Sequence, residues 1–156
     1  MDVLVETTAV WDAPLDDAFT RIVSAEGMTD FQGFGMIPGI AKVERGDGPP
    51  LGRHDVVHNR DGSTHPERVT AYDAPHRYAL AIGPFRGPLG RLVDSIDETW
   101  TLESTPGGTR ARRRFVLRCR GRVAGWLVRA VLAPQFREAM RRHHATLGQR
   151  LDGSIR

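Results

Sequence analysis

The chain of 156 residues contains one cysteine, Cys119, and one lysine, Lys42. A single cysteine excludes an internal disulfide and a cluster of thiolate metal ligands, and it agrees with the cytoplasmic location that we expect. Long apolar runs are also missing, because Arg129 interrupts the longest candidate for a membrane span. The first residues, MDVLVETTAVWDAP, have no basic stretch followed by an apolar one. We therefore expect no secretory signal and no stable membrane insertion.

Positive charge comes almost entirely from arginine, with 21 arginines to one lysine, a bias that we attribute to a GC-rich bacterial genome. Residues 1–103 carry 9 basic and 17 acidic side chains, whereas residues 104–156 carry 13 and 2. A basic C-terminal third is typical of a nucleic-acid footprint, or of a basic segment that lies beside an acidic one in the same fold. Each part is too short for a separate domain, so we favour the second interpretation and a single domain over residues 1–156.

Hydrophobic periodicity predicts the order of secondary structure. Residues 3–10 alternate like a strand, Leu15, Ala18, Phe19 and Ile22 recur at helical spacing, and a second short helix is expected near residues 25–31. From Ile40 onward, turn signals separate six further short strands; these signals are GDGPPLG, RDGS, DAPH, GPFRGPLGR and TPGG. The pattern predicts an α+β protein with an antiparallel sheet of seven strands.

Residues 125–151 form a long predicted helix at the C-terminal end, with Pro134 marking a bend or a break. Its apolar arc, about a third of the circumference, is wide enough to face a sheet. We therefore predict that the helix closes its own domain. His143 and His144 are assigned no role, because cationic side chains suit the last turn of a helix. The arc consists of Leu132, Phe136, Met140, His143, Leu147 and Leu151.

The TPGG turn predicts which residues face each other across the last hairpin. Trp100 is expected opposite Arg113, and Glu98 opposite Phe115. Most arginines of RARRRFVLRCR then lie on the outer face without exposed aromatic residues between them, which disfavours nucleic-acid binding. Arg113 is the exception and faces inward beside Glu98. Such a pair orients a ligand carboxylate or enol while Arg113 stabilises developing negative charge, or else it is a structural ion pair.

A two-residue turn at Asp61-Gly62 would place His58 opposite His65 and Val56 opposite Glu67. His54, His58 and His65 then share the inner face with Glu67. This cluster has three interpretations: an acid/base relay on a bound ligand, a zinc or iron site, or histidines that are exposed because the register slips by one residue. We expect no metal and no other cofactor.

The chain resembles the START-like helix-grip superfamily, also called SRPBCC, in its polyketide cyclase/dehydrase and lipid-transport branch. The resemblance rests on VWDAPLDDAFTRIVS, ERVTAYDAPHRYALAI, WTLESTPGGTRARRRF and the terminal helix with Pro134. It implies a helix-grip fold, as in birch-pollen-allergen-type proteins, in which a curved seven-stranded antiparallel sheet wraps around a long C-terminal helix and two short helices follow the first strand. A tryptophan that members often carry after the first helix is absent, and DFQGFGMIPGI stands there instead.

The resemblance implies an apolar cavity between the sheet and the C-terminal helix. We expect the cavity to bind a small hydrophobic molecule, lipid-like or polyketide-like, in a monomer or homodimer; the alternative is a polyketide cyclase or dehydratase that uses the same cavity. The loop with Phe85 and Leu89 is either a gate at the mouth or a long exposed connection. Catalytic candidates are Glu98, Arg113, His65 and Glu67. Ligand-binding candidates are Phe19, Val56, His58, Val69, Tyr78, Leu80, Ile96, Trp100, Phe115, Leu117, Phe136 and Met140.

Overall fold

A computed structural model describes residues 1–155, and it begins with a ten-residue strand followed by two short helices. The glycine-rich segment after them, which lacks the spacing of a phosphate-binding loop, folds as a small two-stranded ribbon. These elements are β1 (Asp2–Trp11), α1 (Leu15–Val23), α2 (Ala25–Thr29), β2 (Gly33–Phe34) and β3 (Ile37–Pro38).

Six further strands join β1 in one antiparallel sheet with the order β1-β9-β8-β7-β6-β5-β4. Consecutive strands are neighbours from β4 to β9, and β1 closes the far edge beside β9, so the predicted seven-stranded α+β fold is confirmed. A short helix, α3 (Gly87–Leu92), connects β7 to β8. The six strands are β4 (Ile40–Arg45), β5 (His54–Asn59), β6 (Thr64–Asp73), β7 (Arg77–Ile82), β8 (Val93–Thr105) and β9 (Gly108–Cys119).

The C-terminal helical segment runs through α4 (Arg122–Leu127), a π-helical turn (Val128–Leu132) and α5 (Ala133–Ile155). A break at Pro134 is not found, because the helix continues through it from the π turn into α5. Proline donates no backbone hydrogen bond, so the carbonyl of residue 130 loses its α-helical partner. The widened π turn lies immediately before this position and changes the hydrogen-bonding pattern without ending the helix.

The inner side of α5 carries the apolar arc that the sequence predicts, and all six of its residues are buried. Two polar contacts fix the helix to β1: Trp11 Nε1 donates to the carbonyl of His144 over 3.0 Å, and Thr7 Oγ1 lies 2.7 Å from His144 Nε2. The helix therefore closes over the concave face of the sheet. Among residues 1–155 no helix is long and apolar enough to span a membrane.

The register of β8 and β9 matches the prediction from TPGG, with Trp100 opposite Arg113 and Glu98 opposite Phe115. On the outer face, arginines pair with carboxylates of neighbouring strands: Arg112 lies 2.7 Å from Glu6. The basic and acidic parts of the sequence thus neutralise each other across the sheet, which is the arrangement that we favoured. Two further outer-face pairs are Arg118–Asp97 and Arg110–Glu103.

The predicted register of β5 and β6 is wrong by one residue. Val57, not His58, lies opposite His65, and His58 lies opposite Thr64. The loop holds three residues, 60–62, instead of two, because the Asn59 N–H donates to the Ser63 carbonyl over 2.8 Å. Gly62, at φ +88°, takes the left-handed conformation that this turn requires.

Val56 and His58 consequently lie on the outer face, which corrects their assignment as ligand-binding residues. Val56 is 40% exposed, and His58 Nε2 lies 3.1 Å from Glu44 on the neighbouring edge strand. A β-bulge between Val69 and Ala71 shifts one further pairing. Tyr78 lies opposite Tyr72 and faces inward.

Candidate functional site

A cavity of about 700 Å³ separates the concave face of the sheet from the C-terminal helix. Its walls are mainly apolar, with Leu80, Ile96 and Phe115 from the sheet and Leu132 and Phe136 from the helix. The alternation of inward and outward residues along each strand produces this wall, since every second side chain points at the helix. Polar side chains enter the cavity at two places.

The first polar group is a buried ion pair between Arg113 on β9 and Glu98 on β8. Arg113 donates to Glu98 Oε2 from Nη2 over 2.8 Å and from Nε over 3.2 Å, and Trp100 Nε1 donates to Glu98 Oε1 over 3.2 Å. The guanidinium carbon lies 4.5 Å from the Trp100 ring centre and 4.9 Å from that of Phe115. The Phe31 ring centre lies 5.6 Å away, so Arg113 is held by one carboxylate and by the faces of three aromatic rings.

His143 completes this group from α5. Its Nδ1 lies 2.8 Å from Arg113 Nη1, and its Nε2 lies 2.7 Å from the Gly27 carbonyl. Guanidinium nitrogens only donate and carbonyls only accept, so His143 accepts at Nδ1 and carries its hydrogen on Nε2. Burial, and next the charge of Arg113, hold the pKa of His143 well below its usual range. The neutral imidazole therefore links the sheet, α2 and the terminal helix.

The second polar group is formed by His65 and Glu67 on β6. His65 Nδ1 lies 3.1 Å from Asn59 Nδ2, and His65 Nε2 lies 3.3 Å from Glu67 Oε1. The amide nitrogen of Asn59 is a donor, so His65 accepts at Nδ1 and presents its Nε2 hydrogen to Glu67. Burial raises the pKa of Glu67, an effect that the contact with His65 opposes. Glu67 Oε2 has no hydrogen-bond partner within residues 1–155.

Tyr78 lies on the same concave face and is 2% exposed. Its hydroxyl, like Glu67 Oε2, lacks a hydrogen-bond partner in the described part of the protein. Burial first, and then the carboxylate of Glu67, raise the pKa of the phenol, so the hydroxyl keeps its proton. Buried polar atoms are normally paired, because an unmade hydrogen bond costs about 1–3 kcal/mol. These two atoms therefore give the cavity wall unused hydrogen-bonding capacity.

The mouth of the cavity is bordered by the segment before α3 and by the start of the helical segment. Phe85, Arg86 and Leu89 line it on one side, and Leu127 and Val131 on the other. The Phe85 ring packs on His65 with 5.6 Å between ring centres. Residues of the GPFRGPLGR loop thus form part of the cavity wall.

The family model for polyketide cyclase / dehydrase and lipid transport proteins matches residues 2–152. The chain belongs to this family. No curated protein matches it significantly by sequence.

Among solved structures, the Zhui aromatase/cyclase from Streptomyces sp. R1128 is similar with a TM-score of 0.78 and 16% identity, over 100% of this chain and 97% of that one. Ara h 8.0201 has a TM-score of 0.72 and 16% identity, over 98% and 99%. The di-domain ARO/CYC BexL has a TM-score of 0.72 and 15% identity, with 95% of this chain covering 49% of that one. The chain thus spans about half the length of that di-domain protein. At these identities the likeness concerns the fold.

Of the sixteen site residues predicted from the sequence of this family member, ten line the cavity. Val56 and His58 lie outside, as described above. The remaining four are buried but do not line the cavity: Phe19 packs on Tyr72, and Val69, Leu117 and Met140 lie within the core. The ten lining residues are His65, Glu67, Tyr78, Leu80, Ile96, Glu98, Trp100, Arg113, Phe115 and Phe136.

His143 is a buried polar residue of the site that sequence reasoning missed. The helix-terminus argument is wrong for it, because α5 continues for a further three turns and buries the residue. Its place on the apolar arc, three residues after Met140 and four before Leu147, was the available signal. Within residues 1–155 no group of three or more His, Cys, Asp or Glu side chains has the geometry to hold a metal, and His58 faces away from His65 and Glu67.

Proposed function

We propose that this family member binds a small hydrophobic molecule, lipid-like or polyketide-like, in the cavity between the sheet and the C-terminal helix. The observation that carries the proposal is the cavity itself, about 700 Å³ with mainly apolar walls and a few buried polar groups. Ligand pockets in proteins have volumes of about 300–1,000 Å³ and the same mixture of apolar walls and convergent polar groups. Apolar burial supplies the affinity, and the polar groups fix the orientation.

Arg113 is the proposed anchor for a ligand carbonyl or carboxylate. A guanidinium has five N–H bonds, and three of them serve Glu98 and His143. Two N–H bonds remain on a side chain that lines the cavity. The stacked rings of Trp100 and Phe115 hold the guanidinium plane, so these donors keep one direction. Binding to them therefore requires little reorganisation.

Tyr78 and Glu67 are the proposed partners for a second polar group on the ligand. The phenol donates or accepts, and Glu67 Oε2 accepts as a carboxylate or donates as an acid. A ligand with two polar groups can bond to Arg113 with one and to Tyr78 or Glu67 with the other. A purely aliphatic chain leaves both of these polar atoms unpaired, so a ligand with oxygen functions is favoured.

Native mass spectrometry of the purified protein tests the proposal by revealing a co-purifying small molecule. Titration with the apolar fluorophore 1-anilinonaphthalene-8-sulfonate then measures cavity binding directly. Leu80→Trp places a larger side chain inside the cavity and should weaken probe binding, whereas Val56→Trp introduces the same side chain on the outer face and should leave it unchanged. Absence of both a co-purifying ligand and probe binding, or equal effects of the two variants, would contradict the proposal.

A second candidate function is a polyketide cyclase or dehydratase reaction in the same cavity, and the His65–Glu67 contact favours it. In such a reaction a base removes a proton from the carbon between two carbonyls, and the resulting enolate attacks another carbonyl of the same chain. The new alkoxide takes up a proton, and the hydroxyl then leaves as water with a second proton from the substrate. Glu67 and His65 supply groups for proton transfer, and Arg113 stabilises the enolate.

Assay of the Glu67→Gln variant with a synthetic poly-β-keto thioester distinguishes a carrier function from an enzymatic one. Glutamine preserves the shape and the hydrogen bonding but cannot exchange a proton. In a carrier, the variant changes affinity alone, and the wild-type protein does not increase the rate of product formation. In an enzyme, turnover at saturating substrate falls by about 10²-fold or more. Thr64→Val, at the exposed rim of the cavity, serves as the control variant.

A further inference from the structure

The outward side of the helix at residues 122–131, here called the mouth helix, exposes a continuous apolar surface. Val123 is 77% exposed, Trp126 66%, Val131 45% and Leu127 38%. Trp126 and Leu127 follow Val123 by three and four residues, and Val131 follows Leu127 by four, so these side chains share one side of the helix, while Ala124 and Val128 face the protein. Exposed apolar residues are ordinary when scattered, but a tryptophan among several aliphatic neighbours indicates a contact surface.

This apolar surface borders the cavity mouth. Leu127 and Val131 are exposed and also line the cavity, so they lie where its interior meets solvent. Met36, 67% exposed, and Arg86 meet the same two conditions. Anything that covers the mouth helix therefore also covers the entrance of the cavity.

The charges of the mouth helix have one sign. Arg122 and Arg129 are its charged residues, both exposed and neither in an ion pair within residues 1–155. The next acidic residue along the helix, Glu138, is occupied by Arg142 at 3.1 Å. On the outer sheet face, by contrast, Arg112 and Arg118 are neutralised by carboxylates. Asp61 is an acidic residue of the rim, bonded by the Ser63 N–H and hydroxyl.

We propose that the mouth helix docks onto an anionic lipid surface and turns the cavity entrance toward it. Tryptophan is favoured at the level of lipid headgroups, aliphatic side chains enter the acyl boundary, and unpaired arginines are attracted by anionic lipid. A second copy of the chain fits less well. A two-fold contact on this face would oppose Arg122 and Arg129 of both copies with no acid on the helix to neutralise them. The inference does not depend on whether the cavity protein is a carrier or an enzyme.

Vesicle sedimentation tests the docking, with the intact protein and two kinds of vesicle: phosphatidylcholine alone, and equal parts of phosphatidylcholine and phosphatidylglycerol. We expect binding to the anionic vesicles, weaker binding to the neutral ones, and loss of the difference at high salt. Trp11 and Trp100 are buried, so Trp126 dominates the solvent-sensitive emission. Its fluorescence should shift to the blue when anionic vesicles are added.

Charge and apolar variants identify the surface. Arg122→Ala and Arg129→Ala should each weaken binding to the anionic vesicles by about fivefold, and Trp126→Ala should abolish the blue shift. Arg114→Ala and Val10→Ser change an exposed arginine and an exposed valine on the outer sheet face, and they should leave vesicle binding unchanged. None of the three mouth-helix variants removes a residue that lines the cavity. Binding of 1-anilinonaphthalene-8-sulfonate should therefore stay the same, which separates this inference from the proposed ligand binding.

Three results would overturn the docking inference. The first is equal binding to neutral and anionic vesicles, or no binding to either. The second is the same loss for Arg114→Ala as for Arg122→Ala, which would mean that overall charge, not this face, is responsible. The third is a dimer by light scattering that Trp126→Ala dissociates, since the face would then be covered by a second copy.

Discussion

Nη1 of Arg113 lies 2.8 Å from Nδ1 of His143, and this contact joins the sheet to the terminal helix inside the cavity. Arg113 is also bound to Glu98, and His143 to the Gly27 carbonyl. Three separate parts of the chain therefore meet at one buried positive charge. The arrangement holds the anchor of the proposed ligand site, and it makes the stability of the protein sensitive to the loss of any member.

We expect Glu98→Gln and Arg113→Met to lower the free energy of unfolding by about 3–5 kcal/mol each, because each leaves an opposite buried charge without its partner. The double variant removes both charges and should lose less than the sum of the two single losses. Urea unfolding of the four proteins completes the thermodynamic cycle. Additive losses would mean that the two side chains do not stabilise each other. Arg112→Met, at an exposed pair with Glu6, is the matched control and should cost about 0–1 kcal/mol.

Acidification should destabilise the protein through His143 and His144. Burial lowers the pKa of His144 to about 3 and that of His143 well below 6.5. Above pH 6.5 both are neutral in the folded and unfolded chains. Below pH 6.5 the unfolded histidines bind protons and the folded ones do not, so the free energy of unfolding falls as the pH falls. Each histidine contributes about 1.4 kcal/mol per pH unit in this range.

The contribution of Glu67 to the pH dependence of stability has the opposite sign. Its folded pKa is raised from 4.5, so the stability that it contributes is present at low pH and is lost as the pH rises above 4.5. Comparing variants separates the two effects. His144→Gln should reduce the loss of stability between pH 6 and pH 4.5 by about 2 kcal/mol, whereas His54→Gln, at an exposed position, should leave it unchanged. An unaltered pH profile for His144→Gln would show that this histidine has the same pKa in the folded and unfolded chains.

Sequence patterns predicted the hairpin of β8 and β9 correctly because its turn is bounded on both sides by long alternating strands. This alternation alone assigns Glu98 and Arg113 to the inner face. The sequence determined the register of β5 and β6 less well, since Asp61-Gly62 fits a two-residue and a three-residue loop equally well. A difference of one residue in the loop reverses the face of every side chain on β5. His143 was placed on the apolar arc, but its role comes from contacts with Arg113 and the Gly27 carbonyl, which are distant in the chain and are not determined by the local sequence.

Val56 and Val57 provide a direct test of the corrected register. Val57 is fully buried and Val56 is 40% exposed, although the residues are adjacent and identical. Val57→Asp places an unpaired charge in the core and should cost more than about 4 kcal/mol, whereas Val56→Asp should change the free energy of unfolding by about 0.5 kcal/mol or less. Thermal or urea unfolding of both variants measures the difference. Greater damage from Val56→Asp would restore the two-residue turn and place His58 inside.

Removal of the Tyr78 hydroxyl should affect stability and ligand binding in opposite directions. The hydroxyl is buried and has no hydrogen-bond partner within residues 1–155, so it costs free energy in the folded chain without compensation. Tyr78→Phe deletes one oxygen and keeps the ring that packs edge-on against Tyr72. We expect the free energy of unfolding of the ligand-free protein to rise by about 1 kcal/mol. Tyr72→Phe, at a half-buried position outside the cavity wall, is the matched control.

Two related probes measure the effect of the same variant on binding. The loss of a hydrogen bond to the ligand should weaken the binding of 2-naphthol by about fivefold, and binding of naphthalene, which has no polar group, should be unchanged or slightly stronger. The combination distinguishes a ligand-binding hydroxyl from one that is part of the core. A less stable Tyr78→Phe protein would show that the hydroxyl is already paired in solution. An equal loss of affinity for both probes would show that the variant changed the shape of the cavity instead of its polarity.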